Sequence, residues 1–483
     1  MTGDTTEDMT AHPRRTPDAR GSREPYGGPR DTADGVHADD PAGADPAGHG
    51  PAGSAAAPAG GPPGPPAPAS LLRNRDYRLL WTGQMLAESG FHVSVLAFPL
   101  LALALTGSAA ASGIVLSTMA AAQMLAGLPA GAVVDRCNRK AVMLGCEAAQ
   151  AAAAGSLVAA LWWGSATVVH MAAVAAVFGI SAALFEPAES ATLPLLMPEE
   201  QLPAAIAVNS ARSSLGQLAG TAAGGFLFAV GRALPFLADT LTHTAAFLTL
   251  LPLRVPPRPG APQDPRPRLG RDIAAGLRWV WGDPPIRVTM LCAGALNLFF
   301  SAFYIVVVVR AQAAGTPPGR IGVMVAMLGA GGILGALAAP ALYRRLSPRT
   351  AVLLVFWALT ALTPLTLLTP GGPPTGALFA AMALFPPLAN TAIVTAQLLR
   401  TPDEIRGRLT SVIALIGGAA AAGGPALGGL LAAAVPTGQA VLVCAAGITA
   451  VTLLTTTNPT LRGLAPVPDG TEPGRSDTGY TTN

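Results

Sequence analysis

Glu88 and His92 stand in an otherwise apolar run, LLWTGQMLAESGFHVSVLAFPLLALAL (79–105). With Gln84 they recur at i, i+4 and i+8, so a helix would carry all three on one face. Ionisable groups among apolar residues are costly and are kept where they face water, protein or a proton path. Two readings follow: a proton-coupling pair, or a Glu–His hydrogen bond that fixes the helix. A second charged group interrupts GLPAGAVVDRCNRKAVML (127–144), where Asp135, Arg136, Arg139 and Lys140 break the apolar sequence. Two further sets are short. Glu186 and Glu189 lie one helical turn apart and can attract cations or pair with Arg212, while Asp239 and His243 share a face and can bond to each other.

The elements that must carry these residues are membrane helices. Of the 483 residues, 51% are hydrophobic and only 12% are charged, against about 25% charged in a soluble domain. A bilayer core needs roughly 20 apolar residues per helix. Twelve such runs lie near 79–105, 109–134, 141–163, 167–190, 203–230, 234–251, 287–309, 320–342, 350–369, 375–398, 409–434 and 438–456. The expected class is therefore all-α integral membrane, with twelve transmembrane helices in two six-helix pseudo-repeats. The expected parts are a disordered cytoplasmic tail (1–70), a six-helix bundle (71–252), a central cytoplasmic loop (253–285), a second bundle (286–456) and a second disordered tail (457–483). Residues 1–70 are rich in Pro, Gly, Ala, Asp and Arg, a composition that buries too little surface to offset its ordering entropy.

Basic residues fix the expected orientation, because cytoplasmic loops retain Lys and Arg. One set of breaks holds sixteen: Arg136, Arg139, Lys140, seven arginines from Arg254 to Arg287, Arg344, Arg345, Arg349, Arg400, Arg406 and Arg408. The other holds three: Arg232, Arg310 and Arg320. The first set is thus cytoplasmic and, with an even helix count, so are both termini. In the central loop, Leu269, Ile273, Leu277 and Val280 fall on one helical face, followed by Trp279 and Trp281, as in a helix lying at the headgroups. Cys137, Cys146, Cys292 and Cys444 are scattered, with no metal-ligand spacing. No phosphate-binding loop and no aromatic-basic interleaving is present. These patterns point away from a metal, a cofactor, an enzyme and a nucleic-acid partner.

The halves resemble each other. Gly127 aligns with Gly335 and Arg136 with Arg344, and LGQLAGTAAGG (215–225) resembles GGAAAAGGPALGG (417–429), at offsets of about 204 to 208 residues. Parallel repeats of this kind build secondary transporters.

Gly131, Asp135, Arg136, Arg139 and Lys140 resemble motif A of the major facilitator superfamily, with Asn138 where the family has glycine. Asparagine tolerates a left-handed backbone, so a turn there remains open. GTAAGG and GGPALGG resemble the family's antiporter motif, with Thr221 replacing its usual proline. FEPAESATLPLLMPEEQLPAAIAVNS (185–210), FLADTLTHTAAFL (236–248) and LLRTPDEIRGRLTSV (398–412) resemble the branch of enterobactin exporters and macrolide-efflux proteins.

This resemblance implies alternating access and export of a small organic molecule by proton antiport across the cell (plasma or inner) membrane. The sparse charges of the cavity-forming segments suggest a largely apolar cargo such as a drug, antibiotic or siderophore. Expected partners are that substrate, protons and the bilayer, and the chain is expected to act as a monomer. An uptake symporter, a lipid flippase or a non-transporting sensor or scaffold remains open. Motif A would form a cytoplasmic gate, with Gly127 and Gly131 allowing close approach and Asp135 capping the eleventh helix beside Arg408; its bases alternatively serve only topology. Glu88 and His92 are the proton-coupling candidates. Gln84, Gln123, Asn297 and Asn390 would face the substrate cavity or bond between helices. Gly216, Gly220, Gly224, Gly424 and Gly428 would pack helices.

Overall fold

The computed structural model describes residues 74–255, 269–369, 371–400 and 403–459. The expected tails, 1–70 and 457–483, lie outside these residues except for 457–459. Among the described residues all regular structure is helical: α1 (Arg75–Thr106), α2 (Ala109–Arg136), α3 (Arg139–Trp162), α4 (Val168–Leu196), α5 (Leu202–Val230), α6 (Leu234–Leu250), α7 (Leu269–Gly282), α8 (Pro284–Ala313), α9 (Pro318–Tyr343), α10 (Pro348–Leu365), α11 (Pro373–Ala383), α12 (Pro386–Arg400), α13 (Asp403–Ala434) and α14 (Thr437–Thr457).

Short polar side chains start many of these helices by accepting the amide hydrogens that the first turn leaves free. Asn74 receives the amides of Asp76 and Tyr77, Ser108 that of Ala111, Thr167 that of His170 and Asp283 that of Ile286. Gly107, at φ +66°, closes α1 in the left-handed conformation that glycine adopts without strain.

Among the described residues, ten spans are long and apolar enough to cross a membrane. The expected fifth and sixth are not among them. α6 has 17 residues, and α5 carries Asn209, Ser210, Arg212, Ser213, Ser214 and Gln217, which dilute its hydropathy. The expected tenth run, 375–398, is broken into α11 and α12. Pro386 and Pro387 lack amide hydrogens and clash with the preceding turn, so the helix restarts there. α7 forms in the central loop, with Leu277 and Trp281 exposed and its C-terminal end docked. Val280 is buried with Ile286, Met290, Leu409 and Val412, docking its end on α8 and α13.

Within α1–α6, α2 packs on α4, α1 on α5 and α6, and α3 on α4 and α6. Among the later helices, α8 packs on α13 and α14, α9 on α11 and α12, and α10 on α14. Two seams join these sets, α2 with α13 and α5 with α9. Both are built on glycine, since without a hydrophobic drive inside lipid, helices associate through close packing of small residues. A Cβ on Gly113 would collide with the Pro425 carbonyl, and one on Gly225 with that of Pro318. Both contacts lie toward the ends of α2 and α5 remote from Asp135. The most deeply buried segments, Leu96–Ala102 of α1 and 305–309 of α8, also lie toward that remote end. Around Asp135 the helices separate: a Cβ on Gly127, Gly131 or Gly417 would meet nothing within 4 Å.

Candidate functional site

The separated helices enclose two cavities. The larger, about 710 Å³, is framed by α1–α6 and lined by Gln84, Glu88, His92, Gln123, Glu147, Glu186, Glu189, Arg212 and His243 among others. The smaller, about 510 Å³, lies between α2, α4 and α13, with Met124, Leu128, Leu415 and Gly418 in its wall. Gln123 and Glu186 line both. Each is of the size that holds a small organic ligand, roughly 300–1,000 Å³.

Arg212 of α5 organises the first polar cluster. Its Nη1 donates to Glu189 Oε1 at 2.7 Å and its Nη2 to Glu189 Oε2 at 3.2 Å, a two-pronged pairing suited to the planar guanidinium. Nε lies 3.5 Å from Glu88 Oε2. The other oxygen of Glu88 accepts from the Ser213 hydroxyl. α5 brings these groups against α1 because its own face is stripped of side chains. A Cβ on Gly216 would press Glu88, one on Gly220 would collide with the Ser89 carbonyl, and one on Gly224 would lie 2.8 Å from the Val93 carbonyl. Gly424 and Gly428 bring α13 equally close to Leu298, Ser301 and Ala302 of α8. One guanidinium therefore faces two carboxylates, and the surplus acid lies on the cavity wall.

A Glu88–His92 hydrogen bond does not form. Glu88 turns to α5, while His92 packs edge-on against Phe91, with ring centroids 5.4 Å apart. Glu189, rather than Glu186, takes Arg212; Glu186 is exposed in the cavities.

The second cluster is deeper. Gln84 Nε2 donates to Glu147 Oε1 at 3.0 Å, His243 Nδ1 lies 2.6 Å from Glu147 Oε2, and His243 Nε2 lies 3.4 Å from Asp239 Oδ1. Relative exposures of 1% for Glu147, 2% for His243 and 0% for Asp239 bury all three, although Glu147 and His243 still border the large cavity. The expected Asp239–His243 pair is thus part of a longer chain across α1, α3 and α6. Glu147 escaped the sequence reading. Its signal was there: an acid two turns into the apolar run after Lys140, with Gln150 one turn further along.

Of the remaining predicted residues, Gln84 and Gln123 line the cavities. Asn297 is exposed and turns its amide to the Ala293 carbonyl of its own helix. Asn390 is exposed on α12. Neither belongs to the lining of these two cavities. In the motif A loop, Arg139 Nη1 donates to Ala191 O at 2.7 Å and Lys140 Nζ to Leu251 O at 2.6 Å, tying the loop to α4 and to the C-terminus of α6. A cation suits a helix C-terminus, where free carbonyls concentrate negative charge. Asn138 is not left-handed. At φ −66° it caps α3 by accepting from the Ala141 amide. Asp135 and Arg136 are exposed. Gly127 and Gly131 make no close approach in this conformation, and the Arg408 side chain lies outside the described residues.

This arrangement of membrane-length helices, small-residue seams and a charged cavity is that of a secondary transporter. Solved structures share the fold. A mutant of the nucleoside transporter NupG matches with a TM-score of 0.64 at 13% identity, over 79% of this chain and 99% of that one. A bacterial homologue of the iron transporter ferroportin, in an inward-facing state, matches at 0.63 and 15%, over 80% and 99%. Curated relatives are similar in sequence. Multidrug efflux pump Tap of Mycobacterium tuberculosis (strain ATCC 25618 / H37Rv) is 29% identical over 375 residues, 73% of this chain and 85% of its own length. Macrolide efflux protein A of Enterococcus faecalis is 29% identical over 170 residues, 35% of this chain and 52% of that protein. The chain belongs to the transmembrane secretion effector family of the major facilitator superfamily, whose profile matches residues 66–464. It is a multi-pass membrane transporter rather than an enzyme.

Proposed function

We propose that this transporter exports a small, largely apolar organic molecule, of the drug, antibiotic or siderophore kind, by alternating access in exchange for protons. The observation that carries the reading is the Glu88–Arg212–Glu189 cluster on the wall of a cavity in an apolar bundle. Two acids sharing one guanidinium leave one carboxylate that is compensated only by a proton or by a polar substrate group, and exchange between those occupants is antiport. The multidrug and macrolide efflux relatives support the cargo class. α5 and α6 complete twelve spans arranged as six and six, and the arginine-rich end faces the cytoplasm with both termini. In that orientation the cavities open inward, the state in which the ferroportin homologue was solved. Asp135 and its neighbours form the gate that closes this side when α2 and α13 swing together, with Arg408 as partner.

The test is a cellular efflux assay in a strain lacking its own pumps. Expression of the chain lowers accumulation of a macrolide or of members of a lipophilic drug panel, and a protonophore restores it. Accumulation unchanged by expression across the panel contradicts export.

A further inference from the structure

The Gln84–Glu147–His243–Asp239 chain shares no hydrogen bond or ion pair with the Arg212 cluster, yet its geometry is specific. A buried imidazole uses both ring nitrogens on carboxylates from two helices, Nδ1 on Glu147 of α3 and Nε2 toward Asp239 of α6. Glu147 and His243 line the large cavity, whereas Asp239 does not and is wholly buried. Both Asp239 oxygens and His243 Nε2 lack a hydrogen-bond partner. Two aspects of α1 create room for this carboxylate. Gly90 has no side chain, and a Cβ there would lie 2.9 Å from Asp239 Oδ1; the buried Ser94 hydroxyl faces it.

We infer that Glu147, His243 and Asp239 form a proton-binding relay, loaded from the cavity at Glu147 and ending at Asp239. The inference deepens the antiport reading and rests on it for its coupling role. A fully buried carboxylate whose facing imidazole lies 3.4 Å away, too long a contact for a good hydrogen bond, is costly to keep charged. The neutral form of the cluster therefore carries two protons on three bases: one on His243, balancing ionised Glu147, and one on Asp239. In the form one proton short, with the imidazole neutral and Asp239 ionised, a proton on Glu147 passes to Nδ1 as the proton on Nε2 passes to Asp239 once their 3.4 Å contact shortens. The imidazole is left as its other neutral tautomer, and return of the proton by the same path resets it. On the elements packed against α6, the ionisable groups within the bundle are Glu88 and His92 on α1, Cys146 beside Glu147 on α3, and Arg212 on α5. Arg75, Asp76, Tyr77 and Arg78 of α1 and Arg139 and Lys140 of α3 stand in the first turns of their helices. Glu88 and Arg212 are engaged with each other and with Ser213 and Glu189, so they form a separate titrating unit across the cavity.

The test combines infrared spectroscopy and transport on the reconstituted full chain. Titrated without substrate, wild type is expected to show the carbonyl band of a protonated buried carboxyl group that is lost as pH rises. Asp239→Asn removes the band, whereas Glu88→Gln leaves it. Glu147→Gln, which keeps shape and hydrogen bonding if Asp239→Asn fails to fold, shifts the pH at which the band is lost. A band unchanged in Asp239→Asn, unshifted in Glu147→Gln or insensitive to pH in wild type overturns the relay. With a radiolabelled macrolide as probe, Asp239→Asn keeps exchange at equal pH but loses the roughly tenfold accumulation that one pH unit drives at one proton per substrate. Retained accumulation overturns the coupling role. Wild-type transport indifferent to the gradient, beside a band that titrates, instead contradicts antiport and leaves the proton site standing.

Discussion

Arg212 shows how one residue sets the chemistry of the cavity. It holds Glu189 through two hydrogen bonds and Glu88 through one longer contact, so removing it leaves two half-buried acids on the cavity wall uncompensated. Breaking a fully buried pair costs about 3–5 kcal/mol, and this partly solvated one costs less. Arg212→Ala is therefore expected to lower the thermal stability of the detergent-solubilised protein, whereas Glu88→Gln, which keeps an acceptor for Ser213, is expected to leave it nearly unchanged. Melting curves of the two variants separate these outcomes. Glu88→Gln is also expected to retain substrate binding while losing response to a pH gradient, and unchanged pH dependence would count against Glu88. The pair Glu189–Arg212 was legible from charge and spacing. Glu147 was not singled out, because an acid in an alanine-rich stretch has no partner in its own helix, and its partners come from α1 and α6. The same reason left Asp239–His243 looking like a local bond.

At the scale of elements, hydrophobic run length and turn residues located nearly every helix to within a few positions. The exceptions have local causes: paired prolines divide α11 from α12, and docking of Val280 ties α7 to α8 and α13. Which glycines pack was a harder inference. Repeating glycines in α5 and α13 do meet α1 and α8, yet Gly127 and Gly131, alike in spacing, meet nothing in this conformation. Sequence spacing records that two helices can approach, and the conformational state decides whether they do. Gly428→Val would drive a side chain into the Ala302 carbonyl, with an expected loss on the order of 1–3 kcal/mol and reduced yield of folded protein. Gly127→Val is expected to be tolerated for folding but to slow transport if α2 and α13 close upon each other. Size-exclusion profiles and initial transport rates check the pair. Asp135→Asn belongs with them: insertion into the membrane stays intact and transport is abolished, whereas wild-type transport would remove the gate.

For the whole molecule, the seams and the deepest packing lie toward one end and the cavities open toward the other. Alternating access requires the reverse arrangement to be attainable, with the Gly113 and Gly225 contacts parted and the motif A end closed. Neither the state nor the direction of transport can be read from a linear sequence, since both depend on which seam is closed when the proton is bound. The fold class, by contrast, follows from composition and repetition alone. Deleting residues 1–70 is expected to leave drug efflux intact in the cellular assay. Loss of efflux with normal membrane levels would favour a regulatory role for that segment. Energetically, one proton crossing ~100 mV supplies about 2.3 kcal/mol and a pH unit adds ~1.4 kcal/mol. Together these sustain a gradient on the order of several hundredfold for a neutral substrate exchanged one for one. The most direct measurement uses inside-out vesicles containing the chain and a radiolabelled macrolide or drug panel. An acid-interior gradient should drive accumulation that collapses with a protonophore and is absent in Asp135→Asn. Accumulation that survives collapse of the gradient, or equals that of vesicles lacking the chain, would contradict proton-coupled export.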